Sequence, residues 1–162
     1  MVQPGQTAPS ADWAGEHNSL VFRAGPLLCA LRLDEVIETM RPLATQPIAG
    51  TPAFVTGICV MRGIPTLVID VARLLGGATA EVSRFISVRT ERGPVAFATG
   101  AIHGVRTVSA PSTQYSPALL GDGAGRLITA VGTIDAAPVL LLPTMRLVPD
   151  ELWATAAGAV PS

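Results

Sequence analysis

Apolar residues in this chain fall in short runs separated by glycine, proline and polar clusters, a rhythm of strands and turns with no long helix. Leu20-Val21-Phe22-Arg23-Ala24 and Leu27-Leu28-Cys29-Ala30-Leu31 read as strands joined at Gly25-Pro26. Asp34 to Ile37 reads as one helical turn capped by Asp34, and Glu38 to Arg41 as extended. Thr45 to Pro52 is a loop, and Phe54-Val55 a short turn beneath the next strand. Ile58 to Met61 and Ile64 to Ile69 form a hairpin around Arg62-Gly63. Pro65 fits there only near a strand start or on an edge, because it removes a ladder donor. Asp70 is placed to cap a short helix from Val71, and Gly76 to end it.

The same order then recurs. Arg84 to Arg89 alternates polar and apolar residues, Gly93-Pro94 turns the chain, and Val95 to Thr99 returns. Ala101 to Val108 parallels Leu33 to Met40, with Val105 near the place of Ile37. A loop over Pro111 to Gly125 leads to a second hairpin, Leu127–Thr133 and Ala137–Leu142, and to a short helix over Thr144 to Val148. Two lobes, about residues 20–76 and 84–148, therefore share one plan. A lobe of that size buries comparatively little surface alone. The expected fold is all-β with a few short helices: two small five-stranded SH3-like β-barrels, related by a pseudo-twofold and packed on a shared apolar core. Residues 1–18 and 151–162 read as flexible tails around one domain over 19–150.

Composition narrows the function. Hydrophobic residues make up 49% and charged residues 14%, as in a folded globular protein, while aromatics at 4% leave the core to Val, Leu, Ile and Ala. A net charge of −1 offers no global field for nucleic acid or anionic membrane. Neither His17 nor His103 has metal-ligand spacing around it. Gly121-Asp122-Gly123-Ala124-Gly125 follows a loop and opens no helix, so it fails as a phosphate cradle. No nucleophile or cofactor motif emerges, and the reading is non-enzymatic, without cofactor or metal. Neither a signal-like segment nor an uninterrupted apolar span is visible, so a cytoplasmic location is expected. Cys29 and Cys59 sit in apolar strands, where reduced thiols act as small hydrophobes. Arg62 stands out as one cation between two very apolar strands.

From Pro52 to Asp70, with its glycine-containing strand, Arg62-Gly63 turn, proline-bearing apolar strand and terminal aspartate, the chain resembles the CheW domain of bacterial chemotaxis coupling proteins. The likeness extends over about Ser19 to Val148. It departs at Gly100, near which an aspartate is frequent, and at Met61, where leucine is usual. The resemblance implies a pair of five-stranded barrels and an adaptor joining the cytoplasmic tip of a chemoreceptor to the regulatory domain of a CheA-type histidine kinase. Residue by residue it implies Val36, Glu38, Gly57, Arg62 and Val108 as the receptor face, and assigns no residue to the kinase beyond exposed apolar strand surface. A helix face would enter an apolar groove, with Arg62 fixing its orientation and Gly57 allowing close approach. Other readings stay open: Val36 as core, Gly57 as a bulge residue, and Arg62 as a brace for the Thr45–Thr51 loop. So do the same fold in another receptor–kinase pathway, such as surface motility or development, and a small-ligand-binding β domain with a pocket between the lobes.

Overall fold

The structure is a computed structural model describing residues 15–78, 80–110 and 130–142. Its strands are β1 (Gly15–Ala24), β2 (Leu27–Arg32), β3 (Val36–Met40), β4 (Val55–Met61), β5 (Ile64–Asp70), β6 (Arg84–Thr90), β7 (Gly93–Thr99), β8 (Ile102–Ala110), β9 (Ala130–Ile134) and β10 (Ala137–Leu141). A 3-10 turn spans Leu33–Glu35, and one helix, α1, spans Val71–Leu74. The Asp70 side chain caps that helix by accepting from the Arg73 N–H at 3.3 Å, and Gly76 follows at φ 84°. The expected helix at Thr144–Val148 and the loop at Pro111–Gly125 lie outside the described residues.

Two five-stranded sheets form, but they are not the successive halves of the chain. β1-β2-β10-β9-β8 closes into a barrel, while the second sheet runs β3-β6-β7-β5-β4. Each takes strands from both expected lobes, so 20–76 and 84–148 are not separate folding units. The second sheet is also not a closed barrel among the described residues: no ladder joins its outer strands β3 and β4. β1 begins at Gly15 and pairs His17 and Asn18 with Val108 and Thr107, so the expected tail over 1–18 is too long at its inner end. The turn before β7 is Glu91-Arg92, and Gly93-Pro94 opens the strand, because Thr90 pairs with Gly93. Asp34 lies inside the 3-10 turn instead of capping it, and Val36 already begins β3.

The pseudo-twofold is nonetheless real, and the ladders define it. Phe22 pairs with Cys29 and Ile102 in the barrel as Val88 pairs with Val95 and Val36 in the second sheet. Cys29 then meets Leu140 in parallel, as Val95 meets Leu67. Even the bulges correspond: β8 slips at His103 and β3 at Ile37. Glu38 is thus equivalent to Gly104, Met40 to Arg106 and Arg62 to Asp135.

Alternation of side chains makes three apolar layers. Val21, Ala30, Val108, Val139 and Leu141 fill the barrel. Cys59, Met61, Val68, Phe85 and Ala96 pack the far face of the second sheet. Between the sheets lies the largest layer, with Phe22, Cys29 and Leu31 from the barrel against Ile69, Ile86, Val95 and Phe97 from the second sheet.

Each terminal hairpin closes through two residues of positive φ, Arg62-Gly63 (51° and 78°) and Asp135-Ala136 (50° and 65°). Such turns match the strand twist, but Ala136 holds a left-handed conformation that costs an L-residue about 1–2 kcal/mol. Ala136→Gly is expected to raise stability by up to about 1 kcal/mol after the entropy of the unfolded glycine is subtracted. A thermal melt tests this, and a lower melting temperature would contradict it.

Candidate functional site

The Arg62-Gly63 turn aims the Arg62 guanidinium back across the second sheet. Its Nε–H donates to Glu38 Oε2 at 2.6 Å and its Nη2–H to Oε1 at 2.8 Å, a bidentate pair. Glu38 follows the bulge in β3 and lies opposite Ser87, on the face that Met40 shares with the far apolar layer. Arg62 sits in the turn that joins the outer strand β4 to its neighbour β5. The ion pair therefore bridges the open seam between β3 and β4. In the barrel the corresponding seam is closed by backbone pairing at Ser109 and Thr133.

Arg62 stays largely in solvent, with 76% of its side chain exposed against 27% for Glu38. Hydrogen bonds from the guanidinium hold the Glu38 carboxyl below its ordinary range, and Glu38 in turn raises Arg62. A depressed carboxylate stabilises the fold above its unfolded-state pKa and loses that contribution as pH falls through the folded one. The clamp thus holds at neutral pH and opens in acid, below the usual glutamate range. The raised Arg62 stays protonated until far above neutrality.

Gly57 is built into the fold. It sits in the β4 bulge at φ 148°, buried, and a Cβ there would lie 2.0 Å from the Gln46 carbonyl oxygen. The loop after β3 is stitched at this point: Gln46 N donates to Ile58 O at 2.8 Å, and Ile58 N to Gln46 O at 2.9 Å. The close approach that needs a glycine is therefore made by this chain's own backbone. Val108, fully buried inside the barrel, presents no surface to a partner. Val36 is half-buried against the layer between the sheets. Of the five expected receptor-facing residues, the structure brings Glu38 and Arg62 together at the surface, while Gly57 is buried under the Gln46 loop and Val108 inside the barrel. Arg62 braces β3 through Glu38, not the Thr45–Thr51 loop.

Three exposed aliphatics belong to this site and escape a sequence reading: Ile37 in the β3 bulge at 44%, and Val60 and Ile64 beside the turn at 64% and 53%. In the pattern they look like ordinary core members of apolar strands. Only the register shows that Val60, opposite Pro65, lies on an unpaired edge.

The layer between the sheets is filled by buried side chains, which removes the main support for a ligand pocket there. An open depression of about 380 Å³ lies at the rim, lined by Arg23, Gly25, Ala80, Glu81, Ser83, Gly100 and Ala101. Among the described residues no three His, Cys, Asp or Glu gather as a metal donor set. No helix among them is long and apolar enough to cross a membrane.

The architecture is a β module of two five-stranded sheets on a shared core, carrying a bidentate surface clamp whose sequence neighbours Ile37, Val60 and Ile64 are exposed aliphatics. The family model for the CheW-like domain matches residues 18–151, and the chain belongs to that family. A similar solved structure is the scaffolding protein TtCheW from Thermoanaerobacter tengcongensis, at TM-score 0.67 and 22% identity, covering 81% of this chain and 91% of that one. No curated protein matches the chain.

Proposed function

We propose that this protein is a non-enzymatic adaptor that couples the cytoplasmic tip of a chemoreceptor to a CheA-type histidine kinase in membrane-associated receptor arrays. The observation that carries the reading is the Glu38–Arg62 clamp, which displays a preformed guanidinium beside Ile37, Val60 and Ile64. A rigid cation amid aliphatic surface suits the apolar face of a receptor helix, with the arginine setting register through a carboxylate or carbonyl of that helix. Preorganisation by Glu38 lowers the ordering cost of binding. Gly57 supports this surface by holding the Gln46 loop against β4, and Val36 packs β3 against the layer between the sheets, while Val108 belongs to the barrel interior. Membership in the CheW-like family supports the adaptor role.

The test is a titration of the receptor tip fragment against wild type and Arg62→Ala, with a melting curve for each. Because Arg62 is so exposed, Arg62→Ala is expected to melt close to wild type. Its receptor affinity should fall about tenfold or more, the scale of a hot-spot arginine. Loss of the folded state would make Arg62 structural instead, and unchanged affinity would remove the clamp from the receptor face. A second series at falling pH should weaken receptor binding as Glu38 protonates.

A further inference from the structure

The barrel carries a counterpart of the clamp with its charges reversed. Asp135 occupies the turn position equivalent to Arg62, with nearly the same φ, 50° against 51°. Its Oδ2 accepts from Arg106 Nη2 at 2.8 Å, and Arg106 lies on β8, the strand equivalent to β3. Arg106 corresponds in register to Met40, one step along the same face from the Glu38 position. Each terminal hairpin is thus tied by an ion pair to the crossing strand of its own sheet. In each the turn residue is the more exposed member: Arg62 at 76%, Asp135 at 82%. One tip presents a cation to solvent and the other an anion.

The surroundings differ in the same sense. Around Arg62 stand Val60, Ile64 and Pro65; their equivalents around Asp135 are Thr133, Ala137 and Pro138. The Asp135 tip is therefore flatter and more polar, with Val105 on β8, 54% exposed, as the large aliphatic nearby in sequence. Ion pairs with this geometry order the side chains but leave most of Asp135 free for a second cation.

We propose that the Asp135–Arg106 tip is the docking point for the adaptor's other partner, a protein surface that offers an arginine or lysine to Asp135. The inference rests on the adaptor reading, in which the Arg62 tip serves the receptor and the partner left for Asp135 is the kinase regulatory domain. Reversed polarity keeps the two ends from exchanging partners, since a surface matched to one tip meets like charge at the other. A chain with two similar ends of opposite sign bridges unlike partners; identical ends would join two copies of one.

The experiment measures the affinity of two probes, the kinase regulatory domain and the receptor tip fragment, for wild type and three variants. Asp135→Arg is expected to weaken the kinase domain at least tenfold and leave the receptor fragment within twofold. Arg62→Glu is expected to do the reverse. The double variant Arg106→Glu with Asp135→Arg re-forms the ion pair in the opposite sense, so it should melt like wild type and still fail to bind the kinase domain. Wild-type kinase affinity should also fall as salt rises. Kinase affinity that survives in both Asp135 variants, or an equal loss of both probes, overturns the proposal while the adaptor reading stands. Failure of wild type to bind either probe overturns the adaptor reading as well.

Discussion

Gly57→Ala is expected to destabilise the protein by roughly 3–5 kcal/mol, the upper range for a single substitution. A Cβ at 2.0 Å from the Gln46 carbonyl oxygen, 2.6 Å from its carbon and 3.0 Å from Pro47 Cα meets only backbone, which cannot swing aside as a side chain would. Relief requires lifting the loop from β4 and breaking both Gln46–Ile58 hydrogen bonds, each worth about 1 kcal/mol net. The positive φ of 148° adds backbone strain of about 1–3 kcal/mol. Gly57→Asp is worse, because it also buries a carboxylate against a carbonyl oxygen. Chemical denaturation of Gly57→Ala checks this directly. Near-wild-type stability would mean that the loop moves freely and that Gly57 faces a partner after all. With the expected result, loss of receptor binding in Gly57 variants reports damage to the loop and β4, whereas loss in Arg62→Ala reports a missing contact.

What the chain disclosed about itself follows from the range of each interaction. The strand from Ile64, the Arg62-Gly63 turn and the Asp70 cap are local and are found where the residues placed them. By contrast, β4 starts earlier, at Val55, which reads as a turn in the sequence, and Val36 and Ile37 belong to β3 instead of a helical turn. The repeated plan was also legible, because the two arms of the pseudo-twofold keep the same element order. Which arm each strand joins was not. β10 reaches back to β2, and β5 forward to β7, through parallel pairings far apart in sequence that no residue pattern encodes. The Gly-Pro motifs that seemed to mark the repeat sit at inequivalent places, one in the turn before β2 and one at the start of β7. In the site, Arg62 and Glu38 could be named singly, but their pairing depends on the curl of a whole sheet. Gly57 carries the same lesson: its glycine is required, and the group that requires it is the chain's own loop. The charge-reversed pair at Arg106 and Asp135 becomes visible only when the ladders supply the equivalence.

Phe97→Ala is expected to cost about 3–5 kcal/mol, as for a large aromatic removed from a packed core. Phe97 is fully buried between Ile69 and Ile86 in the central ladder of the second sheet, and its layer includes Phe22, Cys29 and Leu31 of the barrel. Among the described residues that layer is the large apolar face the two sheets share, and the chain crosses between the sheets repeatedly. A void there removes support from both, so both should unfold in one transition at a lower denaturant concentration. The two free, buried thiols report on it independently: Cys29 lies in the shared layer and Cys59 on the far face of the second sheet. Burial pushes the Cys29 thiol up to about 12, so neither its exposure nor its thiolate is available in the native protein. Thiol labelling across a denaturant series should show Cys29 and Cys59 becoming reactive together, in wild type and, shifted, in Phe97→Ala. If Cys59 reacts at a lower denaturant concentration than Cys29, the second sheet opens alone, and the clamp at Glu38–Arg62 would then be holding a separable unit closed.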